Sequence, residues 1–148
     1  MPRATRSRVI DAPSEEVWAL VSDPYNLPRW WPRTVRVESV EGRGEGSQWT
    51  NVLGTAEGRG VRADFRCREA VESERYGWEQ QVEGTPFARH LRGSSVEIGL
   101  RPDGDGTAVE LRSSQSLRGL SRLGSPMMRR GQAKTLEEAL DGIERALT

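Results

Sequence analysis

The sequence predicts an α+β domain in which a seven-stranded antiparallel sheet wraps around a long C-terminal helix, with two short helices after the first strand. Three observations predict it. Within Ser116 to Thr148, Leu136, Leu140, Ile143 and Leu147 recur at steps of four, three and four, which aligns them in one apolar stripe on a helix. Glu137, Glu138, Asp141, Glu144 and Arg145 fall on the other side, so the helix is amphipathic. From Thr34 onward the apolar period changes to two, in short segments separated by Gly-rich turns, the pattern of an antiparallel meander with one wet face. Only that strand-rich middle offers an apolar surface broad enough to receive the helix.

The elements follow in order. Arg6 to Asp11 reads as a short strand stopped by Ala12-Pro13. Ser14 stands where an N-cap belongs, Glu15 and Glu16 suit the first helical turn, and Val17, Trp18, Leu20 and Val21 supply the buried side. Asp23-Pro24 restarts the chain into a second short helical segment, Pro24 to Trp30, ended by Trp31-Pro32. Strands are expected from Thr34 to about Ser39, from Gln48 to Leu53, and at Val61 to Arg68, where Val61, Ala63, Phe65 and Cys67 alternate with charged residues. Gly42, Gly44 and Gly46 make the first of these turns, and Gly54 to Gly60 the next. Tyr76, Trp78, Gln80 and Val82 alternate in the strand after that; a long strand from Ala88 to Leu100 closes at Pro102 to Gly106; its partner runs from Thr107 to about Gln115. The last helix, extended back through Gln132 to Met127 with Pro126 in its first turn, has roughly 20 residues and a length of about 30 Å.

Composition narrows the class. The chain has 148 residues, enough for one domain with a real core, and 22 basic residues balance 22 acidic ones. No global field draws it to nucleic acid or to an anionic membrane. Lys134 is the only lysine, so the arginine bias reads as the base composition of a GC-rich bacterial genome rather than as an anion site. No apolar run is long enough to span a membrane, and the polar, Arg-rich start is unlike a secretory signal. The lone Cys67 excludes an internal disulfide and reads as a small buried filler. A cytoplasmic protein, monomer or homodimer, is expected.

Particular residues carry a family resemblance. Ile10-Asp11-Ala12-Pro13 followed by Ser14-Glu15-Glu16-Val17-Trp18 resembles the "I-x-A-P-x-x-x-V-W" opening of the START/polyketide-cyclase superfamily (SRPBCC, helix-grip fold). Asp23-Pro24 through Trp30-Trp31-Pro32 is similar to that family's "D-P-x-x-x-x-x-W-x-P", and Gly106-Thr107 to its "G-T-x-V" before the last strand. The likeness spans residues 1–148 as a single domain. It implies a cup between sheet and helix that holds a small hydrophobic ligand, of polyketide, lipid or aromatic type. These motifs build the cup and do not name its contents.

The chemistry-bearing residues point the same way. One His and one Cys leave no metal site, and Gly42-x-Gly44-x-Gly46 lacks the spacing and the following helix of a phosphate loop, so no cofactor is expected. No serine sits in a nucleophile elbow. If Val96, Ile98 and Leu100 point inward, strict alternation places Ser94, Arg92 and His90 on the same face. Val109 and Leu111 bring Ser113 and Gln115 inward in the same way, and Tyr76 and Trp78 bring Gln80. The wall would then be apolar at one end and selectively polar at the other. Trp49, Phe65, Tyr76, Trp78, Gln80, His90, Arg92, Ser94, Gln115 and Met128 are the candidate ligand contacts. Within them Arg92, as an anion partner, and His90, as a proton donor or acceptor, are the catalytic candidates of a cyclase or dehydratase.

Other readings stay open. His90 and Arg92 could lie solvated at a strand end, and one bulge near Gly93 would turn both outward. Trp18, Trp30 and Trp31 read as helix-to-sheet packing; Trp49 and Trp78 as core or pocket wall; Met127 and Met128 as pocket lining or plain core. Side chains that pack the cup shut would make the protein a non-catalytic scaffold or regulator.

Overall fold

The computed structural model describes residues 2–54, 60–118 and 125–148. The elements are β1 (Arg3–Ile10), α1 (Ser14–Val21), a 3-10 turn (Pro24–Asn26), α2 (Leu27–Trp30), β2 (Thr34–Glu41), β3 (Gln48–Leu53), β4 (Val61–Val71), β5 (Arg75–Gln80), a second 3-10 turn (Pro86–Arg89), β6 (Leu91–Asp103), β7 (Gly106–Leu117) and α3 (Ser125–Leu147). The seven strands form one antiparallel sheet in the order β1-β7-β6-β5-β4-β3-β2. The expected turn between Gly54 and Gly60, and the sequence RGLSRLG (118–124), which reads as a solvated basic stretch, fall mainly outside the described residues.

α3 lies on the inner face of this sheet as its apolar stripe requires. Leu136, Ala139, Leu140 and Ile143 are fully buried, while Leu147, the last residue of the expected stripe, is only half-buried where the helix ends. Each of the buried aliphatics contributes at most about 1.5–3 kcal/mol. The charged flank is pinned to β1: Arg8 Nη1 donates to Asp141 Oδ1 (2.7 Å) and Glu144 Oε1 (3.0 Å), and Nη2 to Glu137 Oε2 (3.0 Å). These carboxylates, Asp141 foremost, hold the Arg8 guanidinium above its ordinary pKa. On the other flank α2 presses against α3 at Gly142, where a Cβ would stand 2.3 Å from the Trp30 carbonyl oxygen. Only a residue without a side chain fits that approach.

The strand-one to strand-seven junction shows why its residues take the identities they do. A Cβ on Gly106 would meet the Ile10 carbonyl oxygen at 2.5 Å, and buried Thr107 donates its hydroxyl hydrogen to the Ala12 carbonyl (2.8 Å). Ser14 is not the N-cap. Pro13 takes that position and has no polar side chain to cap with, while the Ser14 hydroxyl is engaged with Thr107 Oγ1 at 3.1 Å. Asp23 does cap the following turn, accepting from the Tyr25 N–H at 3.0 Å.

Three boundaries differ from the pattern reading. β1 begins at Arg3, earlier than Arg6, since Arg3 already pairs with Ser114. β5 stops at Gln80, leaving Val82 buried beyond the strand. Ala88 and Arg89 belong to the second 3-10 turn, which His90 closes by donating its backbone N–H to Phe87 O at 3.1 Å. The edge strand β2 is irregular, with two register shifts against β3 and Ser39 at a φ of 54°.

Candidate functional site

Cross-strand partners share a face, so the pairing register lays out the inner wall row by row. The deepest rows are core: Tyr76 opposite Ile98 opposite Leu111, then Cys67 opposite Trp78 opposite Val96 opposite Ser113. The next row outward is Trp49 opposite Phe65 opposite Gln80, continued by Ser94 opposite Gln115. Glu79 pairs with Ser95, which makes Gln80 and Ser94 neighbours and the row continuous across five strands. Asn51, opposite Val37 and Ala63, lies one step further out. Gln132 stands over the wall from α3, one turn before Leu136, and half-buried Met128 lies a further turn out.

Polarity changes at this row. Among the described residues, the side-chain atoms Trp49 Nε1, Asn51 Oδ1, Gln80 Nε2, Gln115 Oε1 and Gln132 Oε1 are buried yet reach no hydrogen-bond partner. Trp49, Asn51 and Gln132 are themselves more than nine-tenths buried, at 2%, 2% and 6% exposure. A buried donor or acceptor left unmade costs about 1–3 kcal/mol, so five on one wall is a destabilising arrangement for the protein alone. Gln132 is held in place: its Nε2 donates to Ser113 Oγ (3.2 Å) and to the Pro2 carbonyl (3.3 Å).

Aromatic rings back the row. Trp49 stacks on Phe65 with centroids 6.2 Å apart and planes 14° from parallel, and meets Trp78 edge-on at 6.4 Å. Trp78 is surrounded, with Trp31 at 5.1 Å, Trp30 at 6.0 Å and Tyr76 at 6.2 Å. Both Tyr76 and Trp78 are therefore packed core, deeper than the candidate contact row. Trp18, edge-on to Tyr76 at 6.0 Å, and Trp30 and Trp31 are packing residues as expected. Burial pushes the Tyr76 phenol and the neighbouring Cys67 thiol up from their ordinary pKa values. Cys67 is buried and free, and its thiol is engaged with the Glu69 carbonyl at 3.4 Å.

His90 and Arg92 are placed elsewhere. Leu91 pairs with Leu117 and Gly93 with Ser116, so β6 carries one extra residue, Arg92, at a bulge. The extra residue breaks strict alternation: Leu91 takes the inward place opposite buried Leu117, and both Arg92 and His90 are exposed. Arg92 lines an open groove at the sheet's end with Arg68, Glu79 and Ser95, which also takes in Gln80 and Ser94. The shared inward face of His90, Arg92 and Ser94 is thereby corrected; Ser94 alone stays on it. Met127, 77% exposed, is neither core nor wall. Of the candidates, Trp49, Phe65, Gln80, Ser94 and Gln115 come together in one row, with Met128 on the helix above. Asn51 and Gln132 join them unforeseen. Gln132 had a legible signal, an amide in line with the apolar stripe four residues before Leu136; Asn51 had none.

Among the described residues no Asp, Glu, Lys, Arg or His is buried, and no three His, Cys, Asp or Glu side chains come together as a metal set. No described helix is long and apolar enough to cross a membrane.

Solved structures share this architecture. A protein of Thermus thermophilus, TTHA0849, is 23% identical and superposes with a TM-score of 0.78 over 99% of this chain and 97% of its own. A START superfamily protein of Mycobacterium smegmatis, 16% identical, gives 0.76 over 98% and 96%. The di-domain ARO/CYC StfQ of the steffimycin biosynthetic pathway, 10% identical, gives 0.79 over 98% of this chain and 50% of its own length. At these identities the likeness is one of fold. No curated protein matches the sequence significantly. The family model for polyketide cyclase / dehydrase and lipid transport matches residues 1–148, and the chain belongs to that family.

Proposed function

We propose that this protein binds a small hydrophobic, partly oxygenated molecule, polyketide-, lipid- or aromatic-like, in the cup between the sheet and α3. The observation that carries this reading is the row of unpartnered polar atoms at Trp49, Gln80, Gln115 and Gln132 on an otherwise aromatic and aliphatic wall. A mostly apolar ligand gains affinity from the rings, and its few oxygens relieve the desolvation cost that the wall carries alone. On this reading it is a carrier or binding protein of the cytoplasm. Cyclase or dehydratase chemistry through Arg92 and His90 would need both inside the cup, and both are exposed.

Native mass spectrometry tests the proposal, on protein purified from its own host and again after organic extraction. A co-purifying small molecule that disappears on extraction, with recovery of Nile red uptake by the extracted protein, is the expected result. A bare polypeptide mass in both runs and no dye uptake would overturn it and favour a cup filled by its own side chains.

A further inference from the structure

We infer that the molecule held in the cup is uncharged and brings a hydrogen-bond donor of its own, a hydroxyl or phenol on an apolar skeleton, rather than a carboxylate or a phosphate ester. This rests on the binding reading above and specifies its ligand. The first support is the wall's lack of compensating charge. Among the described residues no Arg, Lys or His is buried, and the nearest cation in the strand sequence, Arg92, is exposed to water at the bulge in β6. An anion carried into such a site loses its hydration and finds no partner.

The second support is the sense of the unpartnered groups. Gln132 cannot exchange its amide oxygen and nitrogen freely. Its Nε2 donates to both Ser113 Oγ and the Pro2 carbonyl, and reversing the amide would set its oxygen against that carbonyl. Its Oε1 is therefore committed as an acceptor, and it is buried without a donor. Asn51 Oδ1 and Gln115 Oε1 are also buried without a donor among the described residues, and either amide can turn to present oxygen or nitrogen to a ligand. A carboxylate or phosphate offers acceptors only. It would accept from Trp49 Nε1 and Gln80 Nε2 but would set a negative oxygen against the fixed Gln132 oxygen. A hydroxyl donates to that oxygen and still accepts from the indole or amide N–H. Selectivity built from buried groups that would otherwise go unpaired is strong against ligands lacking the matching atom.

Three fluorescent probes of one ring system test this: 1-pyrenemethanol, 1-pyrenecarboxylate and 1-methylpyrene, titrated into extracted full-length protein at neutral pH. The alcohol is expected to bind at least about tenfold more tightly than the carboxylate and about fivefold more tightly than the methyl compound. In Gln132→Met the preference for alcohol over methyl is expected to fall toward one while 1-methylpyrene still binds. A merely structural role for Gln132 would weaken all three probes together. Gln115→Met serves the same comparison should Gln132→Met fail to fold. Carboxylate binding as tight as or tighter than the alcohol overturns the inference and leaves the binding reading standing. Failure of all three probes, with no uptake of Nile red, overturns the binding reading itself.

Discussion

Replacement of Gly142 by alanine separates two opposed effects in one helix. Alanine in a helix interior is favoured over glycine by about 1 kcal/mol from backbone entropy alone. Here the added methyl would lie 2.3 Å from the Trp30 oxygen, 2.7 Å from its Cα and 2.8 Å from its carbonyl carbon, all backbone atoms that no rotamer change can move aside. α2 must shift off α3, disturbing Trp30, which is 2% exposed and in edge contact with Trp31 and Trp78. Overpacking of this kind costs about 1–3 kcal/mol or more, which outweighs the propensity gain. A net loss of about 2 kcal/mol corresponds to a Tm lowered by roughly 4–8 °C in a chain of this size. Gly131 is the internal control: it lies on the same helix, exposed, with nothing within 4 Å of its added Cβ. Gly131→Ala should be stabilising by up to about 1 kcal/mol. Thermal and urea unfolding of the two variants side by side is the assay. Equal stabilisation in both would refute the claim that α2 and α3 meet through backbone contact.

Three further expectations follow from the site and its supports. Tyr76→Phe should change stability at neutral pH by no more than about 1 kcal/mol, because the buried hydroxyl it removes has only the weakly polar Cys67 thiol beside it. Burial raises both the Tyr76 and Cys67 pKa values, so their contribution to stability is complete below the ordinary values of 10.0 and 9.0 and is lost as pH rises above them. Alkaline urea titrations should accordingly show a shallower decline in Tyr76→Phe than in the parent, and an unchanged slope would count against it. Arg8→Met should cost about 1 kcal/mol at low salt and less at high salt, since it leaves Glu137, Asp141 and Glu144 without their shared cation on a partly exposed flank; a salt-independent loss would point to packing instead. Arg92→Ala is expected to leave 1-pyrenemethanol affinity within about twofold of the parent in the same fluorescence titration, as its side chain is exposed at the bulge; a loss of tenfold or more would place it back in the cup.

Much of the architecture was legible because it rests on periodicities that tertiary context has no reason to break. The stripe of Leu136, Leu140 and Ile143 has one solution on a helix, and alternation from Tyr76 to Gln80 has one on a half-buried strand. The site was legible only in part. Alternation carried Gln80, Ser94 and Gln115 to the inner face correctly, since each is joined to a core residue by an unbroken ladder. It failed at Arg92 and His90 because one unpaired residue inverts every side chain beyond it. Gly93 marked that hazard without determining it, because glycine also occupies regular strand positions, as Gly99 does here. Asn51 was beyond reach for another reason: both faces of β3 hold buried residues, Asn51 inward and Val52 outward, so its pattern carries no sidedness.

The strand order has a consequence for how the molecule assembles. Every neighbouring pair in the sheet is consecutive in the chain except β1 and β7, whose partners lie roughly a hundred residues apart. Closing such a span costs about 3 kcal/mol more chain entropy than closing a hairpin of a few residues. β1 therefore has no strand to pair with until the whole meander and β7 have been synthesised, and Arg8 on it finds its carboxylates only when α3 has followed. β1 is made before its partners and is the last strand of the sheet to find its place, and until then the flank of β7 is an open ladder that β1 of another molecule could occupy.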